Sequence, residues 1–138
     1  MTGVHPMTET YSPNEEKRSK KRPLALVTGA SRGIGRATAL ALAEAGFDLF
    51  LIARKEAEKL KDTAVRCQSL GAAVETRCAD IGDYAACEAI FTALDTCPGS
   101  LTLLVANAGI SKLGLLQDLS PEDWDAMIRT DLSSCFYL

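Results

Sequence analysis

Eight residues near the start of the chain have a glycine spacing suited to binding phosphate groups. They run from Thr28 to Gly35, read T-G-A-S-R-G-I-G, and lie between a short apolar run and a segment of helical periodicity. In that setting Gly29 permits a tight turn, Gly33 lets a pyrophosphate approach the backbone, and Gly35 permits close packing of helix against strand. The phosphates would lie at the positive end of the helix. The octet therefore predicts a nucleotide site; the alternative interpretation is an ordinary strand-to-helix turn.

The residues that follow the second apolar run bear on which dinucleotide would bind. Ala53 stands where an NAD site places a carboxylate for the ribose 2′ and 3′ hydroxyls. Arg54 comes next and Arg32 lies within the glycine turn, so two guanidinium groups could converge on a 2′-phosphate. This pattern favours NADP over NAD. The alternative is that both arginines are solvent-exposed loop residues.

Strands that alternate with helices must position these residues. Apolar runs predict four strands, over residues 24–28, 49–53, 73–78 and 101–106, with helices between them that end at Gly46, Gly71 and the Pro98–Gly99 pair. Right-handed crossovers would place helices on both faces of the sheet. The predicted fold class is therefore α/β, a Rossmann-type doubly wound parallel sheet with about four strands. The apolar helix faces expected to pack on it are Ile34, Thr38, Ala41, Leu42 and Ala45; Ala57, Leu60, Ala64 and Cys67; and Tyr84, Cys87, Ile90, Phe91 and Leu94.

A further helix is predicted after residue 119. Ser120, Pro121 and Asp123 fit an N-cap, a first helical residue and a reciprocal capping partner. The pattern reaches Leu138 without a helix terminator, so residues 23–138 are expected to be the N-terminal part of a larger domain. The alternative is a small complete flavodoxin-like domain, which would normally need a fifth strand. The apolar stripe of this helix, which could also form an interface, is Trp124, Met127, Ile128, Leu132, Cys135 and Phe136.

Composition and charge argue against several other classes of protein. The chain has 138 residues, and no apolar run approaches the length of a membrane span. The N-terminus lacks the apolar core of a secretory signal, so a cytoplasmic protein is expected. The single histidine, His5, leaves no material for histidine catalysis or a histidine metal site. The five cysteines include no C-x-x-C pair and are interpreted as reduced, small apolar residues rather than as a disulfide framework or a metal site.

Residues 1–22 are interpreted as a flexible basic leader. They hold five basic and three acidic residues without hydrophobic periodicity, and they leave ten basic and fifteen acidic residues in the rest of the chain. A nucleic-acid site would rest on this leader alone, and a solvated tail is the preferred interpretation. Neither a nucleic acid nor a membrane is therefore expected as a partner.

Three motifs together resemble those of the short-chain dehydrogenase/reductase family. They are T-G-x-x-x-G-x-G at residues 28–35, Asp80 after the third strand, and A-N-A-G at residues 106–109 after the fourth, in the order and spacing of that family. The resemblance covers residues 23–138, and within the family it is nearer to 3-oxoacyl-acyl-carrier-protein reductases and related carbonyl reductases. It implies an NADP(H)-dependent enzyme that reduces a ketone or oxidises an alcohol. A small-molecule substrate and a homo-oligomeric full-length form are implied with it.

The same resemblance assigns roles to single residues. Asp80 would accept a hydrogen bond from the adenine amino group, would cap the helix that starts near Asp83, or would do both. Asn107 would brace the central strands or be an ordinary turn residue, and Gly109 would leave room beside the cofactor ribose and nicotinamide. The implied cofactor-binding residues are Gly29, Ser31, Arg32, Gly33, Ile34, Gly35, Arg54, Asp80, Asn107, Ala108 and Gly109.

One position of the family's catalytic set has a counterpart here. Asp131 stands where the family has a catalytic asparagine, seven residues after Trp124 on the apolar stripe. A carboxylate on a buried face needs a partner or a water. Asp131 could keep the family's water with an altered pKa, mark a weakened enzyme, or simply be exposed.

The other catalytic residues of the family, a serine and a Tyr-x-x-x-Lys pair, have no counterpart in the chain. Tyr11 and Tyr84 are each followed four places later by glutamate, and Tyr137 is followed only by Leu138. The 138 residues alone are thus expected to be inactive. The alternative function is a non-catalytic nucleotide-binding or regulatory module that is complete at this length.

Overall fold

The computed structural model describes residues 22–138, in which four strands alternate with helices. The strands are β1 (Leu24–Thr28), β2 (Asp48–Ala53), β3 (Val74–Cys78) and β4 (Leu101–Val105), and the intervening helices are α1 (Gly33–Glu44), α2 (Ala57–Ser69) and α3 (Tyr84–Leu94). The four predicted strands are confirmed to within one residue at each end. After β4 come a short 3-10 turn (Leu116–Asp118), α4 (Pro121–Met127), a π-helical segment (Ile128–Ser133) and α5 (Ser134–Tyr137).

The four strands run parallel in the order β3-β2-β1-β4. Because side chains alternate along a strand, the central strands β1 and β2 supply a core to each face of the sheet. Val27 and Leu51 are buried with residues of α1 and α2, whereas Leu26 and Phe50 are buried with residues of α3. Helices therefore cover both faces, which confirms the doubly wound α/β class. None of the helices within residues 22–138 is long and apolar enough to cross a membrane.

Helix α1 buries only part of the predicted apolar face: Leu42 packs half-buried against the core, but the fully buried residues are different ones. Its buried residues are Gly35, Ala39 and Ala43, while Ile34 is 77% exposed. A Cβ at Gly35 would collide with the main-chain oxygen of Gly29, so the helix approaches β1 too closely for a large side chain. Small residues face the sheet for that reason. Helices α2 and α3 bury most of their predicted residues, with Ala57 and Tyr84 exposed in the first turns.

The last predicted helix is confirmed as an uninterrupted helical run over residues 121–137, but its buried face is not the predicted one. A π-helical segment separates α4 from α5, and the buried residues are Thr130 and Ser134 rather than the apolar stripe. Phe136 is 86% exposed, and Trp124 and Leu132 are also exposed. An inserted π turn shifts the residues that follow it around the helix axis, so Cys135 and Phe136 do not continue the face of Trp124 and Met127.

The predicted N-cap of α4 is confirmed, but the predicted reciprocal contact from Asp123 is not formed. Ser120 Oγ accepts a hydrogen bond from the amide of Asp123 at 3.1 Å. The carboxylate of Asp123 does not return the contact; it lies 3.2 Å from Lys112 Nζ instead. The pairing attaches the loop after β4 to the start of α4.

Residues 1–21, with His5 and the rest of the basic run, lie outside the described part of the chain. Arg22 belongs to the fold, so its assignment to the leader is wrong. Its guanidinium donates to the carbonyl oxygens of Ala43, Gly46, Phe47 and Gly71 at 2.6–3.2 Å. Those oxygens lie where α1 and α2 end. A cation there satisfies carbonyl groups that a helix terminus leaves without partners.

The five cysteines are free thiols, as expected, but they are not all buried. Cys67 and Cys87 are buried, whereas Cys78 and Cys135 are exposed. Burial raises the pKa of the Cys67 and Cys87 thiols. Cys67 and Cys87 thus act as small apolar residues of the core, whereas Cys78 and Cys135 lie at the surface.

Candidate functional site

A cleft of about 430 Å³ opens at the carboxyl edge of the parallel sheet. In doubly wound sheets this edge is where ligands bind, because the loops after the strands converge there. All but three of the predicted cofactor-binding residues line the cleft. The exceptions are Gly33 and Ile34, which are exposed, and Gly35, which is buried beneath the bend.

The glycine-rich bend leaves β1 with backbone angles that a side chain would disfavour. Gly29 and Gly33 have φ of +68° and +56°, in the left-handed region. A Cβ at Gly33 would meet no atom within 4 Å, so its surface is open to a ligand. At Gly29 a Cβ would lie 2.8 Å from Asn107 Nδ2, so the lack of a side chain lets two sides of the cleft meet.

The bend is held in place by an arginine that the sequence reasoning missed. Arg36, in the first turn of α1, donates to the Ser31 carbonyl oxygen at 2.7 Å and to Thr63 Oγ1 at 3.0 Å. Thr63 is a buried residue of α2. The bend is thereby tied to the neighbouring helix, and the signal that could have revealed this was a basic residue directly after the last glycine.

The N-terminus of α1 differs from those of α3 and α4. Asp83 and Ser120 cap the latter two with side-chain oxygens. Arg32, at the N-cap of α1, forms no such bond, and the first turn holds no acidic residue. Within residues 22–138, the first amides of α1 thus have no side-chain acceptor, and the positive end of the helix is available to an anion.

On the β4 side of the cleft, Asn107 is joined to β1. Its Nδ2 donates to the Thr28 carbonyl oxygen at 2.9 Å, and the Thr28 hydroxyl accepts from the amides of Asn107 and Ala108, each at 3.0 Å. Thr28, which opens the glycine octet, is fully buried and was not singled out from sequence. The contacts give Asn107 a bracing geometry across the sheet rather than that of an ordinary turn residue.

Charged groups surround the end of β2. Ala53 is buried there, and Arg32 and Arg54 are both exposed and line the cleft. A carboxylate that the sequence reasoning missed also lies here: Glu56 lines the cleft and pairs with Arg32, Nε to Oε2, at 3.4 Å. Among the described residues Arg54 forms no ion pair.

Glu56 is held as a carboxylate. A hydrogen bond from Lys59, a second from Ser31 and the charges of Lys59 and Arg32 together lower its pKa, against a smaller opposing effect of burial. An acidic residue three places after Ala53 was the feature of the sequence that could have predicted a carboxylate in the cleft. Proximity in sequence does not show which way the side chain turns at a helix start.

Asp80 and Asp83 divide the roles that the sequence left open for Asp80. Asp83 Oδ1 accepts from the amide of Ala85 at 3.1 Å and is the N-cap of α3. Asp80 accepts from the amide of Gly82 at 2.9 Å and lines the cleft. The capping role is therefore wrong for Asp80, and its carboxylate remains directed at the cleft region.

Asp131 lies on the exposed side of the π-helical segment, so its predicted place on a buried face is wrong. Its Oδ1 accepts a hydrogen bond from the amide of Ile110 at 2.8 Å. A Cβ at Gly109 would lie 3.3 Å from the same oxygen. Asp131 thus orders the end of the A-N-A-G segment, and π-helical insertions of this kind are frequent at functional sites.

Other cleft residues were not singled out from the sequence; most are apolar, but Thr130 carries a hydroxyl and Lys55 adds a cation next to Arg54. They are Ile52, Lys55, Ala79, Ile81, Ile110 and Thr130. Within residues 22–138 no cluster of three or more His, Cys, Asp or Glu side chains is arranged to hold a metal ion.

The layered α/β architecture, with a glycine-rich bend at the carboxyl edge of β1, defines a Rossmann-type fold. A family model described as short chain dehydrogenase matches residues 23–138. The chain therefore belongs to the short-chain dehydrogenase family, and the resemblance found in the sequence is confirmed.

Several characterised proteins resemble the chain over the same region. Sepiapterin reductase of Chlorobaculum tepidum is 36% identical over 119 residues, which cover 82% of this chain and 49% of the relative. Galactitol 2-dehydrogenase of Rhizobium johnstonii is 40% identical over 114 residues, covering 82% and 44%. A 3-oxoacyl-acyl-carrier-protein reductase of Staphylococcus aureus is 37% identical over 112 residues, covering 81% and 46%. The chain spans about half the length of these relatives.

Solved structures give the same result for the fold. A metagenomic short-chain oxidoreductase in complex with NADP superposes with a TM-score of 0.79 at 35% identity, covering 84% of this chain and 52% of that one. An alcohol dehydrogenase from Thermococcus sibiricus, complexed with 5-hydroxy-NADP, has a TM-score of 0.78 at 34% identity, covering 83% and 49%. The strand order and flanking helices described above are therefore those of the family.

Proposed function

We propose that residues 23–138 are the cofactor-binding part of an NADP(H)-dependent short-chain oxidoreductase that, as a whole protein, reduces a ketone or oxidises an alcohol. The observation that supports this most directly is the glycine-rich bend, which presents Gly33 and the free N-terminus of α1 at the carboxyl edge of the sheet. Family membership and the NADP bound in a similar structure support the same function.

The cleft and the glycine-rich bend beside it offer the groups that a dinucleotide would need. Space for a phosphate exists above Gly33, where a Cβ would meet nothing, and the amides at the start of α1 have no side-chain acceptor among the described residues. Gly29, Ser31, Gly33, Ile34 and Gly35 would form the diphosphate-binding bend. Asp80 would bind adenine, and residues 107–109 would line the nicotinamide side. When bound, the cofactor supplies or accepts a hydride.

The preference for NADP rests on charge at the end of β2. Ala53 brings no carboxylate toward a ribose 2′ position, while Arg32 and Arg54 bring two guanidinium groups to the same side of the cleft. Guanidinium groups bind phosphate oxygens through paired, charge-assisted hydrogen bonds. Glu56 pairs with Arg32 and brings a negative charge to the same part of the cleft.

A proton donor for a carbonyl substrate does not occur in the 138 residues, which contain no Tyr-x-x-x-Lys pair. We therefore expect this chain to bind cofactor without turnover, and the small-molecule substrate to depend on residues elsewhere in the whole protein. The exposed apolar side chains of Trp124, Leu132 and Phe136 support a homo-oligomeric whole protein, since an interface would cover them.

Titration of the 138-residue chain with NADPH and with NADH tests the proposal. NADPH should bind about tenfold more tightly, because only NADPH has a ribose 2′-phosphate for Arg54 to bind. Arg54→Ala should weaken NADPH binding and leave NADH binding unchanged, and Arg66→Ala, an exposed arginine of α2 outside the cleft, should change neither. Equal affinities for the two cofactors, or equal losses in Arg54→Ala, would exclude the NADP assignment. Measurable carbonyl reduction by the chain would show that it does contain a proton donor.

A further inference from the structure

One of the two guanidinium groups proposed for the 2′-phosphate, that of Arg32, is already in contact with a carboxylate, and so is the neighbouring Ser31 hydroxyl. Ser31 Oγ donates to Glu56 Oε2 at 2.7 Å, and Arg32 Nε lies 3.4 Å from the same oxygen. Lys59 Nζ donates to the other oxygen, Oε1, at 2.7 Å. Ser31 and Arg32 belong to the glycine-rich bend and Glu56 precedes α2, so the contact crosses the mouth of the cleft.

Glu56 does not serve its own helix in the usual way. It is the N-cap residue of α2, but its side chain accepts no capping hydrogen bond from the α2 backbone. The carboxylate is half-buried and turns toward the bend, and the cleft is lined by it. A hydroxyl and a guanidinium donate to carboxylate oxygens and to phosphate oxygens alike. Glu56 therefore engages the groups that a phosphate monoester at this place would need.

We propose that Glu56 is an internal competitor for the 2′-phosphate of the cofactor and thereby sets how strongly this chain prefers phosphorylated dinucleotides. The proposal rests on the nucleotide site of the proposed function. A phosphate entering beside Arg32 must separate Ser31 and Arg32 from Glu56 or share them with it, and it meets a like charge in either case. A dinucleotide without that phosphate leaves the contact intact. Removal of the Glu56 charge should therefore favour the phosphorylated ligand selectively.

The test uses adenosine 2′,5′-bisphosphate and 5′-AMP, which differ only in the 2′-phosphate. Each ligand is titrated calorimetrically into the 138-residue chain. Glu56→Gln keeps the shape and removes the charge, and it should tighten bisphosphate binding about fivefold while AMP binding changes less than about twofold. Glu58→Gln removes the same charge two residues away, in the first turn of α2, and should change neither affinity. Glu56→Asp keeps the charge and should retain the wild-type preference.

The outcomes separate the two proposals. If the unaltered chain binds both ligands and Glu56→Gln leaves their ratio unchanged, or tightens both equally, Glu56 is not a competitor and the nucleotide site stands. If Glu56→Gln weakens the bisphosphate, Glu56 positions the bend for the phosphate, and the inference is wrong. Should neither ligand bind to any variant at millimolar concentration, the nucleotide site itself is absent and both proposals fall. Bisphosphate binding seen only in Glu56→Gln would support the competition in its strongest form.

Discussion

Asn107 joins the loop after β4 to the carboxyl end of β1 by donating two hydrogen bonds to Thr28. Asn107 donates from its side chain to the Thr28 carbonyl oxygen at 2.9 Å, and its main-chain amide donates to the Thr28 hydroxyl at 3.0 Å. Gly29, the first residue of the bend, directly follows Thr28. The pair therefore fixes how far apart the two sides of the cleft stand.

Replacing Thr28 by valine should destabilise the chain by about 1–3 kcal/mol, because two amides lose their acceptor in a place that water cannot reach freely. Thr28 is fully buried and its hydroxyl serves both Asn107 and Ala108. Thr28→Ser keeps the hydroxyl and is the matched control. Urea unfolding measures the difference, and a valine variant as stable as the serine variant would contradict the bracing role.

Gly35→Ala should distort the bend as well as destabilise the fold. The added Cβ would collide with the Gly29 carbonyl oxygen, which is backbone and cannot turn aside, so a loss of about 2 kcal/mol is expected. Gly114→Ala adds the same methyl where no atom lies within 4 Å, and it should change stability by less than about 0.5 kcal/mol. The midpoints of thermal unfolding of the two variants measure the difference. Similar midpoints would show that α1 does not pack against the bend closely enough to exclude a methyl group at residue 35.

Arg22→Ala should cost about 1–3 kcal/mol of stability, since one guanidinium satisfies several carbonyl oxygens at the ends of α1 and α2. Arg22→Lys retains the charge with fewer donors and should recover only part of the loss. Arg77→Ala, which removes an exposed cation 3.8 Å from Glu75, is expected to change stability by less than about 0.5 kcal/mol. If Arg22→Ala behaved like Arg77→Ala in urea unfolding, the anchoring role would be excluded.

Asp131→Ala should release the end of the A-N-A-G segment. The amide of Ile110 loses its acceptor, so its hydrogen exchange should accelerate and stability should fall by about 1 kcal/mol. Asp131→Asn retains an oxygen at that position and should protect the amide nearly as well as aspartate does. Unchanged exchange at Ile110 in the alanine variant would show that the contact does not order this segment.

The stability contributed by Glu56 should depend on pH in the acidic range. Contacts from Lys59, Ser31 and Arg32 lower its pKa in the folded chain, so folding favours the ionised carboxylate. That contribution is complete above the unfolded pKa of a glutamate and is lost as the pH falls through the lowered folded pKa. Urea unfolding of the unaltered chain and of Glu56→Gln gives the difference between their free energies of unfolding. This difference should be constant near neutral pH and should become smaller as the pH falls into the acidic range. A difference independent of pH would contradict this assignment.

Much of the fold could be predicted because strands and helices are encoded by local periodicity. The buried central strands β1 and β2 are nearly continuous apolar runs, and glycines follow the ends of α1 and α2. The face of α1 could not be predicted from its large apolar residues. Ile34 is exposed and Gly35 is buried because the distance between helix and strand, which sequence periodicity does not report, excludes side chains there.

The sequence by itself determined the family, the parallel α/β class and the glycine-rich bend, since each depends on residues that are neighbours along the chain or recur at a fixed spacing. The tertiary structure alone decided which side chains meet across elements. Thr28 with Asn107, Arg36 with Thr63, Asp131 with Ile110 and Glu56 with Ser31 are each more than twenty residues apart. Their distances and charges follow from how helices and loops pack around the sheet, and that packing is a property of the whole fold.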